Sequence, residues 1–293
     1  MNASMVTTRT LSTRSLGRKT AGLAGQVAIH ALLIAGVIFT CLPLFYMVSS
    51  SFKTEAEIFA VPIHWFPHDF QGFANYAKAL QVAPFGHFFL NSVIVSVTRV
   101  VGVLFFSALA GYGLAKFAFP GNRFCFLLIL STMMVPFQIL LLPLYILVYK
   151  LGWVNTYLGL IIPGMVSAFG VFLMRQFCLT IPDELMDAAR IDGAGEFRIF
   201  LAVVFPLLAP PLATLAILTF MWSWNSLFWP MIVATRTNVM TLTVGMTFFQ
   251  QPLREPYWTY IMAISTLATL PVIVLFLSLQ RYFVQGVVLS GVK

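Results

Sequence analysis

The sequence predicts an all-α membrane protein with six transmembrane helices. Hydrophobic residues make up 60% of the 293 residues and charged residues only 9%, whereas ordinary soluble domains carry about 25% charged residues. The mean hydropathy is +0.92, and apolar runs of roughly 20 residues recur, the length of helix that crosses a ~30 Å hydrocarbon core. A transmembrane β-barrel would show alternating strands of about 10 residues instead. Composition and run length therefore favour a helical bundle in a membrane.

A polar, basic segment at the N-terminus, residues 1–22, is predicted to form a disordered cytosolic tail. The apolar run after it is longer than the hydrophobic core of a signal peptide, which spans about 7–15 residues, so we expect it to be retained as a helix. The transmembrane domain is predicted to occupy residues 23–293. Its six apolar runs are residues 23–48, 88–115, 124–148, 157–177, 207–228 and 258–279.

The basic residues predict which side of the membrane each segment faces. Six spans place both termini on the same side. With the N-terminus in the cytosol, the inner segments carry eleven Lys and Arg residues and the outer segments carry five. Cytoplasmic loops are enriched in these residues, so the sequence predicts that both termini are inside.

Two outer segments are longer than simple connections. Residues 49–87 are rich in aromatic residues, which favour the membrane–water interface, and the stretch FANYAKAL has helical spacing. We expect a short helix there, lying on the outer surface. Residues 229–257 form a second long segment, and long loops are usually functional or disordered. Its Val, Thr and Phe content favours an ordered loop that contacts a partner.

The inner segment at residues 183–210 holds five of the nine carboxylates in the chain. Thr180 is predicted to cap a helix that starts at Ile181, because a Thr-x-x-Asp pattern is typical of a helix start. Gly193 is predicted to end this helix, because glycine accepts left-handed backbone geometry, and a second helix is predicted to start near Glu196. Taken by itself, this pattern fits either an amphipathic connector on the lipid surface or a docking element for a soluble partner.

The same segment resembles the permease signature of ABC importers, which reads EAA, then DGA, then an apolar spacer that ends in proline. Asp187 replaces the usual glutamate and keeps its charge on a shorter side chain. Further stretches resemble the smaller permease of carbohydrate importers of the maltose type. The signature falls on Asp187, Ala188, Ala189, Asp192, Gly193, Ala194, Phe200, Val203, Pro206 and Pro210, and the further stretches are residues 50–67, 116–126, 133–145, 224–230 and 280–293.

This resemblance implies the type I importer permease fold, with a cytosolic coupling helix in a coupling loop at residues 180–206. It implies a second permease subunit, two ATPase subunits that bind ATP and Mg²⁺, a periplasmic or lipid-anchored solute-binding protein, and a carbohydrate substrate. It also implies a multi-pass protein of the bacterial inner membrane, surrounded by lipid. The residues expected to couple to the ATPases are Asp187, Ala188, Ala189, Asp192, Gly193 and Ala194. The residues expected to reach the binding protein are Thr235, Arg236, Thr237 and Asn238.

Three polar residues in or beside the spans are candidates for the translocation pathway. Arg99 is the one basic residue deep inside a predicted span, where a charge is costly and usually faces the interior of the bundle. It could line the pathway and help an anionic sugar to pass, or it could bond backbone carbonyls or the partner permease. Asn91 and Asn225 could bind sugar hydroxyls, although such residues more often hold helices together.

The sequence predicts no enzymatic activity for this chain alone. No GxxxxGK[ST] run is present, the three cysteines are dispersed without metal-ligand spacing, and we expect neither a bound metal nor a cofactor nor a nucleic-acid partner. A stand-alone secondary transporter or channel, or a permease of a non-sugar importer, stays open as an alternative. Neutral sugars, glycerol phosphates and acidic saccharides all stay open as substrates, and the net charge of +8 together with Arg99 tilts the expectation toward an acidic one.

Overall fold

The computed structural model describes the backbone of residues 14–250 and 257–291 and the side chains of residues 25–249 and 257–280. Helices, turns and loops account for all of this part of the chain, which contains no strand. Fifteen α-helices follow one another in the described residues. They are α1 (Arg14–Ser50), α2 (Glu55–Ile58), α3 (Ala74–Val82), α4 (Phe85–Lys116), α5 (Asn122–Thr132), α6 (Phe137–Lys150), α7 (Tyr157–Ile161), α8 (Ala168–Cys178), α9 (Glu184–Ile191), α10 (Glu196–Ile199), α11 (Phe205–Leu207), α12 (Ala209–Trp224), α13 (Phe228–Val233), α14 (Leu242–Gly245) and α15 (Trp258–Gly291).

Three helices are each long and apolar enough to cross a membrane: α1, α4 and α15. Three pairs reach that length only together, and each pair is bent: α5 and α6 by 99°, α7 and α8 by 44°, and the helical segment Glu196–Leu207 and α12 by 79°. If each bent pair is one span, the chain has six, which agrees with the predicted all-helical membrane fold.

Helix α1 begins before the expected start of the first span. Residues 14–22 were expected to belong to the disordered tail, and this expectation is wrong for them, because they form the first turns of α1. The rest of the expected tail, residues 1–13, lies outside the described residues.

Prolines account for the positions of the three bends, which the sequence analysis missed. Pro136 stands immediately before α6, Pro163 lies in the turn between α7 and α8, and prolines occupy the first turn of α12. A proline disfavours helical geometry at the residue before it and cannot donate a backbone hydrogen bond. An incoming helix therefore ends near each proline, and the next helix starts in a new direction.

Helix α4 is the central element of the bundle, because it packs against both α8 and α12. Its approach to α8 depends on small residues. A Cβ atom at Gly170 would collide with the side chain of Ser107, and one at Gly111 would collide with Met174 and the backbone of Arg175. Small residues of this kind allow two membrane helices to come close.

The first outer segment folds back on the bundle. Helix α3 confirms the short helix predicted from FANYAKAL. Lys53 is fully buried there, and its Nζ donates a hydrogen bond to the carbonyl of His64 at 2.6 Å and lies 4.4 Å from the ring centroid of Tyr46. Glu55 accepts hydrogen bonds from the backbone N–H and the hydroxyl of Thr259 at 2.9 and 2.8 Å. These contacts fix the segment against the start of α15.

Candidate functional site

Two short helices, α9 and α10, and the turn between them form the segment that the sequence analysis singled out for coupling. Gly193 ends α9 with a φ of 79°, as predicted, and its N–H donates to the carbonyl of Arg190 at 3.0 Å. The N–H of Ala194 donates to the carbonyl of Ala189 at 3.0 Å. Helix α10 begins at Glu196, also as predicted. We call residues 183–199 the hook.

The predicted cap of the first hook helix is wrong. Helix α9 begins at Glu184 rather than at Ile181, and the hydroxyl of Thr180 donates to the carbonyl of Phe177 at 2.8 Å instead of capping. Asp183 precedes the helix without making a side-chain cap, because its carboxylate accepts a hydrogen bond from Lys116 Nζ at 2.7 Å. The last residue of α4 thus anchors the start of the hook.

Arg190 joins the two hook helices. Its Nη1 lies 2.6 Å from Asp187 Oδ1, and its Nε lies 2.7 Å from Glu196 Oε1. These hydrogen bonds, first to Glu196 and then to Asp187, raise the pKa of the Arg190 guanidinium above its ordinary value, so it stays charged. Tyr112 of α4 donates its hydroxyl proton to Glu196 Oε2 at 3.1 Å. A continuous polar chain therefore runs from Asp187 to the main bundle.

The hook has an inner face that packs on its own bundle. Met186 is 1% exposed and belongs to a core cluster with residues of α4, α8 and the π-helical turn Phe200–Val204. Ala189 and Ala194 pack against this cluster as well. The sequence analysis expected these two alanines to couple to the ATPases, whereas in the structure they pack against their own chain. Among the predicted coupling residues, Asp187, Ala188, Asp192 and Gly193 are exposed.

The outer face of the hook exposes large apolar side chains that the sequence analysis did not select. Leu185 is 46% exposed, Phe197 is 58% exposed and Ile191 is 86% exposed. Exposed carboxylates lie in the same segment, and exposed apolar side chains among polar ones are typical of an interaction site. Helical spacing was a usable signal for Leu185 and Ile191, which share α9 with the buried Met186 and lie on other sides of that helix. Phe197 belongs to α10, so this spacing does not apply to it.

The second outer segment is largely ordered and partly helical. Its first residues belong to α13, so the predicted loop start at residue 229 is wrong: Trp229 is 4% exposed and donates its indole N–H to the carbonyl of Gly159 at 3.0 Å. The four predicted contact residues follow on a turn in which all are exposed. We call this element, made of Thr235, Arg236, Thr237 and Asn238, the outer turn. Residues 251–256 of the segment lie outside the described residues.

Two asparagines hold the outer turn in place. Asn155, at a φ of 58°, accepts hydrogen bonds at Oδ1 from the backbone N–H of Thr235 at 2.7 Å and of Arg236 at 2.8 Å. Asn91, only 3% exposed, donates from Nδ2 to the carbonyls of Asn238 at 3.0 Å and Met240 at 2.8 Å.

Asn91 therefore lies in a different place from the one expected of a pathway residue. Its Oδ1 accepts the hydroxyl hydrogen bond of Tyr157, so its amide oxygen and both of its N–H groups are in use. It lies behind the outer turn and does not line the cavity between the bent spans. Asn225 is exposed at the end of α12 and donates to the carbonyl of Met221 at 2.9 Å, and it is likewise not a lining residue, although its neighbour Ser226 is.

A cavity of about 390 Å³ lies where the bent spans meet. We call it the central cavity. Arg99 enters it from near the middle of α4. Phe137 lies just after the 99° bend, and Pro163 and Gly164 lie just before the 44° bend. The complete lining is Arg99, Phe137, Leu144, Pro163, Gly164, Trp222, Ser226 and Trp229. Aromatic walls with a few polar groups are typical of small-molecule sites.

Metal-binding side chains do not gather anywhere in residues whose side chains are described: no group of three or more His, Cys, Asp or Glu residues is placed to hold an ion.

Comparisons with known proteins place these features in a family context. The model of the family "binding-protein-dependent transport system inner membrane component" matches residues 104–289. The chain is 44% identical over 205 residues to the arabinooligosaccharides transport system permease protein AraQ of Halalkalibacterium halodurans, which covers 70% of this chain and 73% of that protein. It is 34% identical over 269 residues to the sn-glycerol-3-phosphate transport system permease protein UgpE of Yersinia enterocolitica, covering 90% of this chain and 96% of that protein.

A solved structure shares the fold. It is a chain of a bacterial ABC transporter involved in the import of the acidic polysaccharide alginate. The TM-score is 0.78 at 26% sequence identity, and the match covers 94% of this chain and all of that one. The arrangement of bent and straight spans is therefore that of an importer permease.

Proposed function

Because the chain belongs to the family of binding-protein-dependent transport system inner membrane components, we propose that it is the permease subunit of an ATP-driven importer that moves a carbohydrate across the bacterial inner membrane. The observation that carries this proposal is the hook, whose sequence matches the importer signature and whose outer face is exposed. A stand-alone carrier has no use for such a docking element. The names of the relatives concern arabinooligosaccharides, sn-glycerol-3-phosphate and alginate, which supports a carbohydrate or a related polar compound as substrate.

In this proposal the hook faces the cytosol and receives force from ATPase subunits. We propose that those subunits bind the ATP and Mg²⁺. Exposed Leu185, Ile191 and Phe197 offer an apolar contact, and the carboxylates around them offer charge complementarity to basic groups of the partner. ATP-driven closure of the ATPases then biases the permease between two states.

The opposite side serves the solute-binding protein. In this proposal both termini face the cytosol, and residues 49–87 and the outer turn face the opposite side. The outer turn is rigidly held by Asn91 and Asn155, and it presents four polar side chains to solvent. A preorganised turn loses little conformational entropy when a partner docks on it. A second permease subunit is proposed to complete the pathway.

The decisive test is ATP hydrolysis by the reconstituted complex of this chain, a partner permease, the ATPases and the binding protein. Neutral and acidic oligosaccharides and a sugar phosphate are added one at a time. Stimulation of hydrolysis and uptake by one class is the expected result. Purification of an active carrier without any ATPase would contradict the proposal and favour a secondary transporter. If only non-sugar solutes stimulate hydrolysis by a well-assembled complex, the chain belongs to another branch of importers.

Gly193 offers a test of the hook's backbone geometry. A Cβ atom there would meet no atom of the chain within 4 Å, so the φ of 79° is the constraint. Asparagine tolerates this conformation, whereas a β-branched residue pays roughly 1–2 kcal/mol or more. We expect Gly193→Val to lower uptake per ATP hydrolysed several-fold and Gly193→Asn to remain near wild type. Equal losses in both variants would show that the absence of a side chain, rather than the backbone conformation, is what the site requires.

A further inference from the structure

We propose that the central cavity is a binding site for an anionic group of the transported carbohydrate, and that Arg99 is the residue that selects for it. This inference rests on the proposed importer function and adds the substrate class to it. The anion is a carboxylate or a phosphate, since a guanidinium binds either one in the same bidentate way.

Arg99 lacks an anionic partner within its own chain. Its Nε is buried and nothing in the described residues accepts a hydrogen bond from it, and none of the ion pairs among those residues includes it. The sequence explains this absence, because no carboxylate occurs inside any of the six apolar runs. Glu255, which lies outside the described residues, precedes the last span rather than falling within one.

An unpaired arginine at this depth is costly. Charged side chains inside membrane segments face the bundle interior or a water-filled cavity, pair with one another or with carbonyls, and mark substrate paths. Arg99 is one of the residues that line the cavity. The missing counter-charge is therefore best supplied from the cavity side.

Gly164 makes room for the guanidinium. A Cβ atom at this position would overlap Nη2, Cζ and Nε of Arg99, so the backbone of the bent span lies directly against the charged group. Any residue with a side chain would push the guanidinium out of its place. The backbone at Gly164, next to the bend between α7 and α8, therefore packs against Arg99 beside the cavity.

The other walls suit a sugar ring. Trp222 is 60% exposed and Phe137 is 47% exposed, and both line the cavity together with the hydroxyl-bearing Ser226. Aromatic faces are suited to the apolar C–H face of a sugar, and a few well-placed polar groups fix its orientation. One cation among aromatic walls therefore fits a saccharide that carries one acidic group per unit.

The test uses the assembled complex in proteoliposomes with its binding protein. The probes are an oligouronate, a sugar phosphate and a neutral oligosaccharide of matched length, and the readouts are uptake and ATP hydrolysis. Arg99→Gln removes the charge, Arg99→Lys keeps it without the bidentate geometry, and Gly164→Ala displaces it. Lys78→Gln, which removes one positive charge from an exposed residue of α3, is the matched control.

We expect wild-type and Lys78→Gln complexes to take up one of the two acidic probes. Arg99→Gln should lower that uptake on the order of 10- to 100-fold, which is the range for one charged hydrogen-bonded contact. Uptake by Arg99→Lys should lie between that of wild type and that of Arg99→Gln. The expected signature is a lost preference for acidic over neutral probes. Gly164→Ala should shift this preference in the Arg99 background but have no further effect in the Arg99→Gln background, since the two act through one contact.

Three results would overturn the inference. One is robust uptake of the neutral probe alone. Another is an Arg99→Gln complex with an unchanged preference for acidic probes. The third is loss of the partner permease from purified Arg99→Gln complexes with rescue by Arg99→Lys, because Arg99 would then pair with that subunit. Failure of the importer function itself looks different, since then no carbohydrate stimulates the wild-type complex.

Discussion

Replacing Ile191 with aspartate is expected to separate the ATPase subunits from the permease and to abolish uptake. Ile191 is 86% exposed at the end of α9, so its replacement costs the folded permease little, since exposed substitutions usually change stability by less than about 0.5 kcal/mol. If the outer face of the hook is the docking surface, however, a charge at its most exposed apolar position removes a central contact. Such contacts are worth about 2 kcal/mol or more, which weakens ATPase binding by at least about tenfold.

The measurement is copurification of the ATPases with tagged permease, together with uptake by the reconstituted complex. Ile191→Leu keeps the apolar contact and should behave like wild type. Gln176→Glu adds the same charge to an exposed residue of the neighbouring helix α8 and should also retain the ATPases. If Ile191→Asp keeps its ATPases and full uptake, the outer face of the hook contacts lipid rather than a protein, and the docking assignment is wrong.

Asn91→Ala is expected to release the outer turn and to reduce the affinity for the binding protein by at least tenfold. The substitution removes the donor to two part-buried backbone carbonyls and the acceptor of the Tyr157 hydroxyl. An unsatisfied group costs about 1–3 kcal/mol when it is buried, and the two carbonyls lie at the end of the outer turn and just beyond it. Titration of the reconstituted complex with binding protein, read as stimulated ATP hydrolysis, measures the affinity.

Asn122→Ala is the matched control for this change. Asn122 also donates from one amide group to two backbone carbonyls, those of Leu114 at 3.2 Å and Phe117 at 2.9 Å, but at the other end of α4. It should lower thermal stability and leave the affinity for the binding protein unchanged. If both variants weaken that affinity equally, the effect is one of general stability; if Asn91→Ala leaves it unchanged, the outer turn is not a docking element.

Local sequence signals predicted the overall helical layout. Apolar run length located all six spans, and Gly193 with Glu196 located the break inside the hook, because these features depend only on neighbouring residues. The bends were also accessible, since Pro136 and Pro163 stand at two of them. The bend angles could not be predicted from the sequence, because a proline ends a helix without setting the direction of the next one.

Features that depend on tertiary contacts were not predictable. The role of Asn91 requires carbonyls of Asn238 and Met240, which are distant in the sequence. The predicted cap at Thr180 was wrong because its hydroxyl donates to the carbonyl of Phe177, and the ion pair of Asp183 with Lys116 of another helix could not be predicted. Arg99 could be found from the sequence, since a charge inside a span stands out. Its packing against Gly164 and its Nε without a hydrogen-bond partner could not be predicted.

Helix α4 is an unbroken rod that touches all three regions of interest. Tyr112 near one end contacts the hook, Arg99 near the middle enters the cavity, and Asn91 near the other end holds the outer turn. At 1.5 Å per residue, Tyr112 and Asn91 are about 30 Å apart along its axis, and a tilt of about 5° about one end displaces the other by about 3 Å. We expect α4 to tilt as one body, so that a small displacement at the hook moves Arg99 and the outer turn together.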